Sequence, residues 1–238
     1  MENDVHADWE AMHMAYKHNM ELLEQLYTIF LTPESFKLDD EFNIVMAPDV
    51  KPLHVKWHTV YHAVLKLQAR SVFEFGFGFG HNLHNLETLS SDIATHGIDV
   101  AIRQYEHAIL LQPRLANRIF VWDGADRLDS AYDNSADVAF SRGVIMFLAR
   151  HMEVLHNMFS VAKKHVILLE GWHSHNFYQD IKAYSESSEF PWSDLHMYSY
   201  DTGVKDVKDT IKAMVCSREP IEAEWVQPLN SDADLRSQ

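Results

Sequence analysis

The chain lacks features on which several classes of protein depend. Its only cysteine is Cys216, so it cannot form an intramolecular disulfide, and such a low count is typical of a reducing compartment. No run of about 18 apolar residues is present, so we expect no membrane-spanning helix. Residues 1–4 carry neither the basic start nor the apolar stretch of a secretory signal. The expected location is therefore cytoplasmic.

Basic residues are also scarce. The chain has 20 Lys and Arg against 35 Asp and Glu, a formal charge of −15. A nucleic-acid partner requires a basic stripe, and the short run Lys163, Lys164 and His165 does not supply one. An acidic chain is equally unsuited to an anionic membrane surface. We therefore expect a small-molecule substrate, no nucleic acid and no membrane partner. The sequence does not indicate an oligomeric state.

The spacing of apolar residues predicts three parts. Residues 1–52 are predicted to form a helical cap, because apolar side chains recur at three- and four-residue steps over residues 5–31. Residues 53–225 are predicted to form one domain, which opens with a helix over about 53–68. Residues 226–238 are predicted to be a loose tail. An apolar share of 47% is enough to bury a sizeable core.

Beyond residue 70, short apolar strands alternate with helices. Five strands are predicted, at residues 71–75, 95–100, 118–122, 136–141 and 165–170. Such alternation is typical of a parallel sheet that is covered on both faces. Two further strands, at 195–200 and 210–217, flank a turn-rich loop and predict an antiparallel hairpin at the sheet edge. A helix is predicted over 144–162. The fold class is thus α/β, with a seven-stranded, mostly parallel sheet.

A glycine-rich loop follows the first predicted strand. Gly76, Gly78 and Gly80 each lack a Cβ, so the backbone can turn tightly and come close to a ligand. The helix that begins near Gly80 offers unpaired N–H groups to an anion or a carboxylate. A glycine-rich turn without a ligand is the alternative interpretation.

Acidic residues follow the next two strands. Asp99 ends the second strand about 20 residues after the glycine loop, at the place where a ribose diol would be bound. Its alternative role is to cap the next turn. Asp123, Gly124 and Ala125 end the third strand, where a polar group can meet the amino group of an adenine. An ordinary strand-to-loop turn is the alternative there.

The segment 71–148 resembles class I S-adenosylmethionine-dependent methyltransferases. Residues 74–80 read Glu-Phe-Gly-Phe-Gly-Phe-Gly and resemble the acidic-x-Gly-x-Gly-x-Gly first motif of that family. The resemblance extends to the second-strand motif at 97–101, the adenine-side loop at 123–128 and the fourth strand at 136–141. It implies a Rossmann-like fold, S-adenosyl-L-methionine as cofactor and methyl transfer to a small molecule.

The resemblance also implies which residues bind the cofactor. Glu74 would organise the glycine loop and approach the methionine amino group, and Asp99 would bind the ribose hydroxyls. The implied cofactor-binding residues are Glu74, Gly76, Gly78, Gly80, Asp99, Val100, Asp123, Gly124, Ala125 and Ser141. The adenine-side loop reads Asp-Gly-Ala where the family more often has Gly-Asp-Ala. Either Asp123 or Asp126 is therefore the residue that meets the base.

The residues of the acceptor side are predicted from their position beyond the carboxyl ends of strands four and five. Glu170 and His173 are the predicted catalytic residues, with His173 as general base for a hydroxyl or an amine. Arg142 is predicted to pair with a carboxylate or phosphate of the acceptor, or alternatively within the protein. The other predicted substrate-binding residues are Trp172, Trp57 and Tyr61.

No metal site is predicted. His54, His58 and His62 recur at four-residue steps along the second helix, and two histidines so spaced can bind zinc. A zinc site requires further ligands, and neither a cysteine cluster nor a His-Glu-x-x-His pattern supplies them. A polar flank of an amphipathic helix is the better interpretation.

Two other functions compete with methyl transfer. A nicotinamide-dependent oxidoreductase requires a third glycine in Gly-x-Gly-x-x-Gly, but this chain has His81 or Leu83 at that position. A methyltransferase-like binding protein without catalysis is the second alternative. The intact glycine loop and Asp99 argue against it.

Overall fold

The computed structural model describes residues 30–51, 53, 55–201 and 212–235. The predicted helix over 5–31 lies almost entirely outside these residues, and so does His54. The part of the predicted cap that is described contains a short antiparallel hairpin, in which β1 (Phe36–Leu38) pairs with β2 (Ile44–Met46).

The remaining strands are β3 (Ser71–Phe75), β4 (Ala94–Asp99), β5 (Ile119–Val121), β6 (Ala136–Arg142), β7 (Ala162–Leu169), β8 (His196–Tyr200), β9 (Ala213–Ser217) and β10 (Val226–Pro228). The α-helices are α1 (Val55–Lys66), α2 (His81–Leu89), α3 (Ile102–Leu111), α4 (His151–Val161) and α5 (Phe177–Ser185). No helix in the described ranges combines the length and apolar character needed to cross a bilayer.

The strands β3 to β10 form one sheet in the order β10-β8-β9-β7-β6-β3-β4-β5. Strands β3 to β7 are parallel to one another, while β9 runs antiparallel between β7 and β8. The predicted α/β class with a mostly parallel, Rossmann-like sheet is confirmed. The carboxyl ends of β3, β4, β6 and β7 meet at one edge, which is where ligands bind in such sheets.

The strand count differs from the prediction because β10 adds an eighth strand. It pairs antiparallel with β8, with Val226 opposite Tyr200, so the predicted hairpin of β8 and β9 does not form the sheet edge. A three-residue strand that ends in proline shows no alternation that a sequence pattern can reveal. Residues 226–235 are therefore not a loose tail, and Leu229 and Leu235 are buried in the core.

The predicted helix over 144–162 is interrupted. Residues Ile145–Phe147 form a 3-10 turn, and α4 begins only at His151. The turn follows Gly143, whose φ of 65° lies in the left-handed region that favours glycine. This break separates the end of β6 from α4 and leaves a turn at the ligand edge of the sheet.

Two apolar layers cover the sheet. Val60 of α1 and Leu83 and Leu86 of α2 belong to the core on one face. Phe159 of α4 and Ile181 of α5 belong to the core on the other face. Side chains alternate along a strand, so the phenylalanines of β3 face the α4 layer and Glu74 faces α2. Strand β3 thus places the Glu74 carboxyl group beneath the glycine loop.

Candidate functional site

The glycine loop joins β3 to α2 through three left-handed residues. Gly76, Gly78 and Gly80 have φ angles of 84°, 55° and 74°, which strain any other residue type. The Gly76 N–H donates to the carbonyl of Ile98 at 2.8 Å, so the loop is tied to β4. A Cβ on Gly78 would meet only Oε1 of Gln104, at 3.2 Å. The atom above Gly78 is thus the end of a flexible side chain, which would have to move aside for a ligand to approach the backbone.

Asp99 fastens that loop from the end of β4. Its Oδ2 accepts the Gly78 N–H at 2.9 Å, and its Oδ1 accepts the Ala101 N–H at 2.9 Å. The alternative interpretation, that Asp99 caps the next turn, is thus observed, while its contact with a ribose stays a prediction. Val100 follows directly and is half-buried.

Glu74 lies beneath the loop and is fully buried. Its Oε1 accepts a short hydrogen bond from Asn82, whereas its Oε2 has no partner among the described residues. Burial raises the pKa of Glu74 to about 8. A buried oxygen without a donor is costly. Glu74 Oε2 is therefore suited to a donor that arrives with a ligand.

Tyr61 supports this arrangement from α1. Its hydroxyl donates to Asn82 Oδ1 at 2.8 Å and accepts from Asn85 Nδ2 at 3.0 Å. The side chain is completely buried, and burial raises its pKa above the ordinary value. The structure therefore places Tyr61 against α2, in contact with Asn82, which binds Glu74. It does not place Tyr61 on the wall of a substrate pocket.

Arg142, Trp57 and His81 form a second polar cluster beside the loop. The Arg142 guanidinium lies 4.9 Å above the Trp57 ring, and its Nη2 lies 3.3 Å from His81 Nε2. Trp57 Nε1 donates to the same His81 nitrogen at 2.7 Å. Because two donors approach Nε2, the contacts assign a neutral His81 whose proton is on Nδ1. Burial lowers the pKa of His81 well below its ordinary value, and the Arg142 charge lowers it further.

The cluster contains donors without acceptors. Arg142 Nε and His81 Nδ1 are buried and have no partner in the described part of the chain. His81 is also the first residue of α2, whose opening N–H groups are unpaired by the helix itself. A buried cation, a neutral N–H and a helix amino end together provide the chemistry of a carboxylate site.

Ser141 and Glu170 are brought together, but they bind each other. Ser141 Oγ donates to Glu170 Oε1 at 2.8 Å, and both residues are buried. Glu170 Oε2 accepts the N–H groups of Val144 and Met146. Burial raises the pKa of Glu170 to about 6. Its carboxylate is thus engaged on both oxygens and holds the turn after β6.

Trp172 and His173 do not join the cluster. Trp172 is buried, donates from Nε1 to the carbonyl of Lys212 at 3.2 Å and packs on Phe177. The structure places it in the core on the α4 face of the sheet and not in an acceptor pocket. His173 is exposed. The chain turns at Gly171–Ser174, so neighbouring side chains leave in different directions.

The adenine-side loop after β5 is held from within and by α4. Asp123 Oδ1 accepts the Ala125 N–H at 2.9 Å, and Asn157 Nδ2 donates to the Gly124 carbonyl at 2.8 Å. Arg150 pairs with Asp126 at 3.1 Å. Asp123 therefore shapes the loop, and both Asp123, at 3.9 Å, and Asp126 lie in ion pairs with Arg150.

The α1 histidines hold the β1–β2 hairpin. His58 Nε2 accepts the Ile44 N–H at 3.3 Å, and His62 Nε2 lies 3.0 Å from the carbonyl of Glu41. His62 also makes a short contact with the hydroxyl of Tyr200. Within the described ranges, no group of three or more His, Cys, Asp or Glu side chains is arranged to hold a metal ion. These two histidines therefore have a structural explanation.

No protein-family model and no curated protein matches this chain. Among solved structures, it is similar to the methyltransferase domain of bacterial CtHen1-C, at 18% identity and a TM-score of 0.52 over 68% of this chain and 96% of that one. It is also similar to the plantazolicin methyltransferase BpumL in complex with S-adenosylhomocysteine, at 13% identity and a TM-score of 0.50 over 69% and 82% of the two chains. The chain has the class I methyltransferase fold.

A further likeness is to the O-methyltransferase of a trans-AT PKS multienzyme of Brevibacillus brevis, in complex with S-adenosylhomocysteine. Identity is 21% and the TM-score 0.42, over 49% of this chain and 40% of that one. This chain thus spans less than half the length of that relative. At these identities the likeness is one of fold alone.

Within this methyltransferase fold, the sequence did not single out His81, Asn82 and Gln104. His81 and Asn82 open α2, and both are buried polar residues on the side of the helix that faces the core. Their position directly after the last glycine was the available signal. Gln104 lies on α3 against Gly78, and no local pattern marks it.

Proposed function

We propose that the chain transfers a methyl group from S-adenosylmethionine to a small-molecule acceptor. The observation that carries this proposal is a loop of three left-handed glycines that hydrogen-bonds to Asp99, at the ligand edge of a methyltransferase fold. The plantazolicin methyltransferase was crystallised with S-adenosylhomocysteine, which is the same cofactor without its methyl group.

The residues around the loop fit the cofactor in the described structure. Asp99 would accept the two ribose hydroxyls, which are donors that a carboxylate binds strongly. Glu74 Oε2, buried without a donor, would accept the methionine ammonium group. The backbone of Gly76, Gly78 and Gly80 would pass close to the cofactor.

The adenine ring would lie between the ends of β4 and β5. Val100 would contact one face of the ring, and Ala125, which is buried, would lie on the other side. The loop of Asp123 and Gly124 would face the amino edge of the base. Ser141 would act through Glu170, since its hydroxyl is bound there.

When bound, S-adenosylmethionine supplies an electrophilic methyl group on a sulfonium. The chain's own residues would bind the acceptor, align it and exclude water. Arg142 and His81 would hold a carboxylate, from the methionine end of the cofactor or from the acceptor, because both present buried donors without acceptors. His173 as general base stays a prediction, and an acceptor that is already nucleophilic needs only alignment.

A small acceptor is favoured over a nucleic acid by charge. The net charge of −15 repels a polyanion, and the sequence has no basic stripe to offset it. The described site offers an anionic group one buried cation, Arg142. One cation suits a single carboxylate and not a phosphate backbone.

Calorimetric titration with S-adenosylmethionine, S-adenosylhomocysteine and NAD tests the proposal. We expect the first two to bind and NAD not to bind. Binding of NAD alone would overturn the proposal in favour of an oxidoreductase. Binding of S-adenosylmethionine without product formation over a panel of hydroxyl, amine, thiol and carbon acceptors would indicate a binding protein without catalysis.

A further inference from the structure

Glu170 makes an unusual set of contacts for a residue at the end of a central strand. It follows β7 and is only 8% exposed. Its Oε1 accepts the hydroxyl of Ser141 at 2.8 Å, and its Oε2 accepts the backbone N–H groups of Val144 at 3.0 Å and Met146 at 3.2 Å. One carboxylate therefore joins the end of β6 to both halves of the turn that follows it.

That turn lies against the glycine loop. A Cβ built on Gly76 would lie 2.5 Å from Cγ2 of Val144, so the valine side chain packs directly on the Gly76 backbone. The other end of the turn is tied to β7, since the Gly143 N–H donates to the Leu169 carbonyl at 2.9 Å. Contacts thus run from Glu170 through Val144 to Gly76.

We propose that Glu170 is a positioning residue, whose ionised carboxylate holds the turn 143–147 so that Val144 fixes the glycine loop in its cofactor-binding shape. The expected effect on cofactor affinity rests on the proposed function, whereas the expected effect on the turn does not. Glu170, which the sequence predicts to be catalytic, instead acts through Val144, because its buried carboxylate is held by Ser141 and the turn.

Acid should release this turn. Burial raises the pKa of Glu170 to about 6, although the bonds from Ser141, Met146 and Val144 oppose the rise. Protonation replaces a charged acceptor by a neutral one, which binds the Val144 and Met146 N–H groups more weakly. Arg142 of β6 is the cation nearby. On the other side of the turn lie His175, its stacking partner His151 and Asp180, which contacts His151.

Acid affects the stability contributed by Glu170 in the direction opposite to its effect on the turn. A folded pKa above the ordinary value means that the folded state favours the protonated form. The contribution of Glu170 to the free energy of unfolding therefore falls as pH rises through about 6. A residue that served only to stabilise the fold would change stability and binding in the same direction. As pH falls through about 6, the contribution of Glu170 to the free energy of unfolding should instead rise while cofactor affinity falls.

The first test needs no ligand. Amide hydrogen exchange of Val144 and Met146 is measured between about pH 7.5 and pH 5, with the intrinsic rate divided out. In the wild type, we expect protection to fall as Glu170 is protonated. In Glu170→Gln, whose amide oxygen is a neutral acceptor that does not titrate, protection should be independent of pH and close to the level that the wild type reaches in acid. Protection in the wild type that stays constant down to about pH 5 would overturn the proposal.

The second test measures S-adenosylhomocysteine affinity by calorimetry over the same range. Between about pH 7.5 and pH 5 the wild type should lose about tenfold more affinity than Glu170→Gln, since the ionised fraction falls by that factor. Pairing the two proteins removes the pH effects of Glu74 and the histidines, which both contain. Glu170→Gln should also keep or raise the melting temperature at neutral pH.

Two controls complete the design. Asp137→Asn alters a carboxylate at the opposite end of β6 and should keep the wild-type pH profile. Glu170→Met removes the acceptor and should lose protection at every pH. Equal pH profiles for the wild type and Glu170→Gln would contradict the proposal. If the wild type binds no S-adenosylhomocysteine but shows the pH-dependent protection, the proposed function fails and the turn assignment stands.

Discussion

The backbone N–H of Gly78 donates to Oδ2 of Asp99 at 2.9 Å, and this bond joins the glycine loop to the end of β4. The same carboxylate accepts the Ala101 N–H through its other oxygen. The shape of the loop and the position of the proposed ribose site therefore depend on one side chain. A change at Asp99 should alter both.

Asp99→Ala should weaken S-adenosylhomocysteine binding by a factor of about 100 or more. It removes charge-assisted bonds to two hydroxyls, each worth roughly 1.5–3 kcal/mol. The melting temperature should also fall, because the Gly78 and Ala101 N–H groups lose their acceptor. Calorimetry and thermal unfolding measure both effects, with Asp137→Asn as the control. A folded Asp99→Ala protein with wild-type affinity would contradict the ribose assignment.

Glu74 should release a proton when S-adenosylhomocysteine binds at neutral pH. Burial raises its pKa to about 8, so the carboxyl group is mostly protonated in the free protein. An ammonium group placed against Oε2 favours the ionised form and lowers this pKa. Calorimetry in buffers of different ionisation enthalpy should report release of up to about one proton. Glu74→Gln should abolish the release, and equal release by both proteins would remove Glu74 from the site.

Arg142→Met tests the carboxylate site. Replacing a buried cation by an apolar side chain should keep or raise the melting temperature of the ligand-free protein. S-adenosylhomocysteine affinity should fall by an amount equivalent to about 2–5 kcal/mol, since a bound carboxylate loses its partner. Binding of 5′-methylthioadenosine, which lacks the amino-acid part, should not change. An unchanged affinity for both ligands would assign Arg142 to the acceptor, as the sequence predicts.

Trp172→Ala should destabilise the fold by about 3–5 kcal/mol, because the indole is buried against Phe177. His173→Ala, one residue further on, should change the free energy of unfolding by less than about 0.5 kcal/mol, because the side chain is exposed. Urea denaturation measures both values. A Trp172→Ala protein of wild-type stability would mean that Trp172 lies on a pocket wall after all.

The glycine loop and Asp99 were predictable because each lies next to an apolar strand and is marked by local sequence. The contacts that complete the site join distant residues. His81 and Arg142 are 61 positions apart, and Ser141 and Glu170 are 29 apart. No periodicity reports such pairs.

Side-chain direction after a strand was also hidden from the sequence. Trp172 and His173 follow β7 closely, but the turn at Gly171–Ser174 sends one into the core and the other to the surface. A loop's φ and ψ angles decide this, and composition does not specify them. The acceptor side was therefore harder to predict than the cofactor side.

The function proposed for this chain depends on a cofactor that binds on the glycine loop. The most direct measurement is the S-adenosylhomocysteine affinity of the wild type and of Gly78→Val, determined side by side. We expect the wild type to bind, and ligand at about 100 times its dissociation constant to add about 2.7 kcal/mol of stability. Gly78→Val should not bind, because a β-branched side chain strains a backbone with φ of 55° and occupies the space that the cofactor would need. Wild-type affinity in a folded Gly78→Val protein would contradict the account.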